Sequence, residues 1–200
     1  APAERFEILV DFSDGREAVL ATGADPFPFM MGMMSQSRSP AGAIMRFRPA
    51  RNQHTAVTTV PTALSEAPPL PSSEQLLRRR FVLNDMGGMM GGMMGGGRGG
   101  GLGINGQAFD MERIDAEIAL GSAEVWEIEA GTLAHPFHVH GVHFRILTLD
   151  GETPPAHLSG WKDTVLVSRF AEILIHFTQP ASRAHPFMFH CHILEHEDAG

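Results

Sequence analysis

His190-Cys191-His192-Ile193-Leu194-Glu195-His196 and His135-Pro136-Phe137-His138-Val139-His140-Gly141 together hold six of the 11 histidines and the only cysteine of this 200-residue chain. On a β-strand, successive side chains point to opposite faces. His190 and His192 therefore point one way and Cys191 the other. His138 and His140 share a face, and His135, an odd number of residues earlier and followed by the rigid Pro136, is expected on the opposite side. Two metal environments follow. One holds Cys191 with His135 and has His196 as a further candidate; the other holds His138, His140, His190 and His192.

The two environments suit different chemistry. A His₂Cys set with a weak axial ligand such as methionine is the donor set of a blue-copper electron-transfer centre, and an imidazole-only set suits copper, zinc or iron. Cys191 is covalently adjacent to both His190 and His192, so an electron on the first metal has a short bonded route to the second. Zinc would fill the ligands but has no redox chemistry to use that route. A lone His-X-His pair reads as core or surface histidines as easily as ligands. Two such pairs, one built around the only cysteine, do not.

Outward from these windows the chain reads as β-structure. Strands are expected at Arg5–Phe12, Glu17–Thr22, Ala43–Phe47, Arg80–Leu83, Glu112–Leu120, Ala123–Ile128, Phe144–Leu149, Thr164–Val167 and Glu172–Phe177, with turn signals between several of them. Helical periodicity is weak except over Ser73–Arg79. This pattern predicts an all-β antiparallel sandwich or barrel. Residues 61–71 are proline-rich and read as a linker. Residues 86–103 hold 11 glycines and are expected to form a mobile surface loop.

Composition narrows the partners. A net charge of -8 argues against nucleic acid and anionic membrane surfaces. No apolar run is long enough to span a bilayer, and no signal peptide is visible at the N-terminus. A single cysteine excludes an internal disulfide.

HPFHVHG and HCHILEHED resemble the two C-terminal copper signatures of the multicopper oxidases, closest to the bacterial copper-efflux or cuprous oxidases with laccase activity. The likeness extends to INGQAFDM (Ile104–Met111) and GWKDTV (Gly160–Val165), and APAERFEILVDF resembles the end of the family's second domain. The resemblance implies a cupredoxin-like Greek-key β-sandwich fold. Residues 1–50 would be the C-terminal strands of domain 2, residues 51–75 a proline-rich linker, and residues 76–200 domain 3, carrying the Gly/Met-rich loop 86–103. It makes His135, Cys191 and His196 ligands of a type 1 copper and His138 a type 2 ligand. His140, His190 and His192 become three of the six ligands of a type 3 pair. The family's axial methionine would fall one position past Gly200, and the remaining trinuclear ligands come from His-X-His motifs of the family's first domain. The expectation is thus a piece of a longer protein whose N-terminal cupredoxin domains, in the same polypeptide or a separate fragment, complete the trinuclear site. Periplasmic or secreted localisation is implied in the same way.

The expected function is one-electron oxidation of Cu(I) or of phenolic and aromatic-amine reductants, coupled to four-electron reduction of dioxygen to water. That reduction consumes protons, and Glu197 and Asp163 are the candidate acids, Asp163 resembling a family acid beside the trinuclear centre. Met86, Met89, Met90, Met93 and Met94 sit among glycines with no core to fill, and thioethers select Cu(I). Met30, Met31, Met33 and Met34 form a second cluster that reads equally well as an apolar plug. The family's substrate-copper site uses an Asp and a Met where this sequence has Gly131 and Leu133; Asp85 and Met86 match its other half. The alternative is a copper-sequestering or copper-tolerance protein that binds Cu(I) through the methionine loop without turnover.

Overall fold

The computed structural model describes residues 2–22, 42–50, 59, 62, 71–84, 102–131 and 133–199. The chain divides into two compact units, Phe6–Leu70 and Ala1–Arg5 with Pro71–Gly200. In the first, β1 (Ala18–Ala21) pairs antiparallel with β2 (Ala43–Phe47), with a register shift between Leu20 and Ala21. Arg5–Phe12, expected as a strand, forms no ladder, and its Ile8 and Leu9 are exposed.

Among its described residues the larger unit has nine strands: β3 (Leu77–Asn84), β4 (Gly103–Ile104), β5 (Ala123–Ala130), β6 (His135–Val139), β7 (Phe144–Leu149), β8 (Trp161–Lys162), β9 (Thr164–Val167), β10 (Phe170–His176) and β11 (Phe189–Cys191). They form a six-stranded sheet, β4-β3-β5-β10-β7-β8, and a three-stranded sheet, β11-β6-β9. All pairs are antiparallel except β3 with β5. A short helix, α1 (Leu194–Ala199), follows β11. The helical signal over Ser73–Arg79 resolves into a single 3-10 turn at Ser73–Gln75, after which β3 begins. Glu112–Leu120 is not a strand, although Ile118 packs against the core.

The two sheets face each other across one apolar layer, so the unit is a β-sandwich. Phe81 and Leu83 of β3, Trp126 and Ile128 of β5, and Ile173 and Ile175 of β10 meet Phe137 and Val139 of β6 and Val165 and Val167 of β9. Period-2 alternation accounts for the choice of faces. Even-numbered residues of β5 turn inward, whereas Glu127 and Glu129 turn outward to the guanidinium groups of Arg78 and Arg80. On the inner face Arg79 pairs with Glu124 at 2.8 Å, and the indole of Trp126 donates to the same carboxylate at 2.9 Å.

The INGQ part of the resemblance is structural. Asn105 and Gly106 have φ of 55° and 73° and close a two-residue hairpin between Ile104 and Gln107. Gly103 is required there, because a Cβ would stand 2.1 Å from the Gln107 carbonyl oxygen.

Candidate metal centre

The three-stranded sheet carries the site. Its central strand β6 places Phe137 opposite Cys191 and His138 opposite His190 on β11, with Thr164 of β9 on the other side of His138. His135, Phe137, Val139 and Cys191 turn into the sandwich, where all four are buried. His138, His140, His190 and His192 collect on the opposite face, each partly exposed. The backbone N–H of His192 donates to the Pro136 carbonyl at 2.8 Å and holds the end of β11 against β6.

The buried group is His135, Cys191 and His196, whose potential ligand atoms lie within 4.8 Å of one another. Helix α1 turns the chain back so that the His196 ring lies 4.8 Å from that of His135, centroid to centroid. His135 Nδ1 is 3.5 Å from Cys191 Sγ, which also accepts the Ile193 N–H at 3.3 Å. Burial pushes the metal-free Cys191 thiol up to about 11, with Glu197 adding to the effect and the Ile193 N–H opposing it. A coordinated metal would reverse that, since a coordinating thiol is deprotonated outright.

In the partly exposed group, His138, His190 and His192 also bring ligand atoms within 4.8 Å of one another. His140 joins through its Nε2, 2.9 Å from the Nε2 of His190. Three of the rings are oriented from behind. His138 Nδ1 lies 2.7 Å from the Asp163 carbonyl and 3.1 Å from the Thr164 hydroxyl, His190 Nδ1 is 3.0 Å from the Cys191 carbonyl, and His192 Nδ1 is 3.2 Å from Glu197 Oε2. Each contact favours a proton on Nδ1 and leaves the Nε2 lone pair available, as for ligating histidines in general. Burial holds His138 and His140 below the usual imidazole range, with neighbouring histidine charges pushing the same way and Asp163 opposing them.

These donors fit copper. A buried thiol between two buried imidazoles is a soft set, and the imidazoles on the other face are borderline donors.

Both candidate acids lie beside the imidazoles. Glu197 contacts His192 and stands 3.9 Å from His190 Nδ1. Asp163 turns its carboxylate toward Arg5 and the Thr164 hydroxyl, and its carbonyl toward His138. Burial pushes the Asp163 carboxyl up, but the Arg5 hydrogen bond and charge outweigh it and hold it below the usual range. A cleft of about 400 Å³ opens over His138 and His140, walled by Asp163, Gln179 and Phe187. Gly141, with φ of 73°, lets Phe187 pack there: a Cβ would meet its ring at 2.8 Å.

His143, His157, His176 and His185 join neither group among the described residues. Asp85, Met86, Met89, Met90, Met93 and Met94, like the cluster at 30–34 and His54, lie outside the described residues. The sequence did not single out Arg5, Thr164 or Gln179, since nothing local marks a residue that acts on a site from another strand or a distant loop.

A β-sandwich whose one strand presents metal donors on both faces defines a cupredoxin-like copper domain. The chain belongs to the multicopper oxidase family, whose model matches residues 70–200. It is 35% identical over 205 residues to the cell division protein FtsP of Pectobacterium atrosepticum, covering 100% of this chain and 40% of that protein. It is 45% identical over 104 residues to the multicopper oxidase mco of Staphylococcus haemolyticus, covering 48% of this chain and 22% of that protein. Among solved structures, the laccase-like multi-copper oxidase CueO of Ochrobactrum sp., with oxidase activity towards lignin model compounds and lignosulfonate, is similar at a TM-score of 0.74. It shares 44% identity, covering 95% of this chain and 41% of that one. The chain thus spans about 40% of the length of the relatives it matches throughout. The family implies copper as the metal, and the fold is the cupredoxin-like sandwich expected from the sequence.

Proposed function

We propose that the protein containing this chain is a copper oxidase. His135, Cys191 and His196 would hold a copper that accepts single electrons from a reductant, and the imidazoles on the other face would hold the copper at which dioxygen is reduced. By resemblance, His138 is there a type 2 ligand and His140, His190 and His192 are type 3 ligands, with the remaining donors supplied by other domains. Bound copper supplies the reversible one-electron chemistry, so that four electrons and four protons convert dioxygen to two waters.

The residues of this chain provide the wiring and the protons. Cys191 faces the sandwich interior while its covalent neighbours His190 and His192 face outward, and this placement is the observation that carries the reading. The bonded path from Sγ to either imidazole runs through the main chain. Glu197, with its side chain 39% exposed and 3.2 Å from His192, links solvent to the imidazole face and suits a proton donor. Asp163, the second candidate acid, borders the cleft as a carboxylate held by Arg5. Cu(I), phenols and aromatic amines are the proposed reductants, and the periplasm or cell exterior the proposed compartment.

A non-catalytic role is the second reading, favoured by the match, along the whole of this chain, to part of a protein named for cell division. Copper sequestration through the methionine loop is the third. Neither calls for two donor groups joined through one cysteine. Cys191→Ser in the complete protein separates them: it should abolish the intense red thiolate-to-copper absorption and stop oxygen uptake with every reductant. Oxygen uptake that persists without the absorption would overturn the oxidase reading.

A further inference from the structure

Arg5 lies 158 residues from Asp163 in sequence, yet its guanidinium grips that carboxylate with both arms, Nη1 to Oδ1 at 2.8 Å and Nη2 to Oδ2 at 2.5 Å. Nη1 also donates to the Ala3 carbonyl at 2.8 Å, which ties the fork to its own backbone turn. An exposed ion pair ordinarily contributes little, because water screens it and two long side chains must be ordered. This one differs in geometry. It is bidentate, and the acid's side chain is 18% exposed against 66% for the arginine.

What the clamp holds is the short joint between β8 and β9. The Asp163 carbonyl accepts the Val139 N–H at 3.0 Å and faces His138 Nδ1 at 2.7 Å. The Asp163 carboxylate accepts the Thr164 hydroxyl at 3.2 Å, and that hydroxyl oxygen is 3.1 Å from the same Nδ1. Both groups that fix the His138 ring therefore belong to residues 163 and 164. We infer that Arg5 is a positioning residue for His138. By clamping Asp163 it keeps the carbonyl and the hydroxyl aimed at Nδ1, which holds the proton there and leaves Nε2 directed at His190 and His192. Without the clamp the joint at residues 163 and 164 loses its tether, and neither the carbonyl nor the hydroxyl is held in line with Nδ1. The inference rests on the reading of His138 as a copper ligand, with Arg5 acting only through Asp163.

The test uses the complete protein, its Arg5→Ala and Arg5→Lys variants, and two readouts. In metal-free protein carrying nitrogen-15 histidine, near pH 8 where imidazoles are neutral, the ring shifts of His138 report its tautomer. Wild type is expected to hold the proton on Nδ1, Arg5→Ala to give a tautomer mixture, and Arg5→Lys, which keeps the charge but loses the fork, to lie between them. With copper added, Arg5→Ala should weaken binding at the imidazole group about 10–100-fold, the usual effect of losing a partner behind a ligand. The red Cys191 absorption should remain unchanged. A wild-type tautomer in Arg5→Ala, or equal loss of copper from both groups, would overturn the inference, the latter marking a general loosening of the domain. If the wild-type imidazoles take up no copper, the oxidase reading fails, while the metal-free tautomer measurement still decides whether Arg5 orients His138.

Discussion

His138 stands directly across the β6–β11 ladder from His190, and their rings cross at 83° with centroids 5.6 Å apart. The pair binds the outward donor group to the register of two strands, and the same register buries Cys191 opposite Phe137. The two groups should therefore be separable by substitution. His190→Ala should empty copper from the imidazole group and lower oxygen uptake by more than about 100-fold, since losing only a supporting partner already costs about 10–100-fold. The red absorption should persist. His135→Ala should do the reverse, removing the absorption while copper bound by imidazole remains. Copper content, absorption and electron paramagnetic resonance on the two variants check this.

Gly141 ends the first histidine window at φ of 73°, against the ring of Phe187. Gly141→Ala should cost about 1–2 kcal/mol from the left-handed backbone alone, and more from displacing Phe187. Gly121→Ala is the control: its φ is 82°, but a Cβ there meets nothing within 4 Å. Denaturant unfolding should rank Gly141→Ala as the more destabilised, and only Gly141→Ala should also reduce copper at the imidazole group.

The Arg79–Glu124 pair on the inner face makes a pH-dependent contribution to stability. Burial pushes the Glu124 carboxyl up, but hydrogen bonds from Arg79 and Trp126 and the guanidinium charge outweigh it and hold it below its ordinary 4.5. A depressed carboxylate contributes stability that is present above the ordinary value and lost as pH falls through the lower, folded one. Arg79→Ala leaves Glu124, 4% exposed, without its cation, and should cost roughly 3–5 kcal/mol at neutral pH. The deficit should shrink below the ordinary carboxylate range, where Glu124 is protonated in the unfolded chain and then in both states. Unfolding free energies of wild type and variant across acid pH test the sign.

Replacing Met86, Met89, Met90, Met93 and Met94 with non-coordinating residues in the complete protein should selectively slow Cu(I) oxidation. Thioethers prefer Cu(I), and glycines on both sides let them converge on an ion. Oxidation of a bulky phenol should be unchanged or faster, at full copper content. Equal loss with both reductants would show that these methionines are not a selective Cu(I) site.

Strand parity was the most legible part of the site. Alternation along His135–His140 and His190–His192 sorts the donors onto two faces, and antiparallel pairing leaves no other arrangement once Cys191 turns inward. Strands were harder to judge. Ile114, Ala116 and Ile118 alternate with Asp115 and Glu117 as a half-buried strand would, yet Glu112–Leu120 forms no ladder, because alternation records burial and not the presence of a hydrogen-bonding neighbour. Helix α1 is six residues long, too short for a helical period to show, although it is what returns His196 to Cys191. The Arg5–Asp163 clamp and the parallel β3–β5 pairing join residues far apart in sequence, which local pattern does not encode.

Among the described residues, the segment from His190 to His196 follows every strand except β11 itself, and β11 docks on β6 some 50 residues earlier in the chain. Contacts that close such long loops form slowly, because chain entropy is lost before they repay it. Each donor group draws on residues of both strands, so neither gathers this chain's share of its ligands before β11 has docked on β6. A chain still searching for its register would offer a lone thiol and scattered imidazoles, which bind any passing metal. The finished register admits an ion only into a site already shaped by the protein.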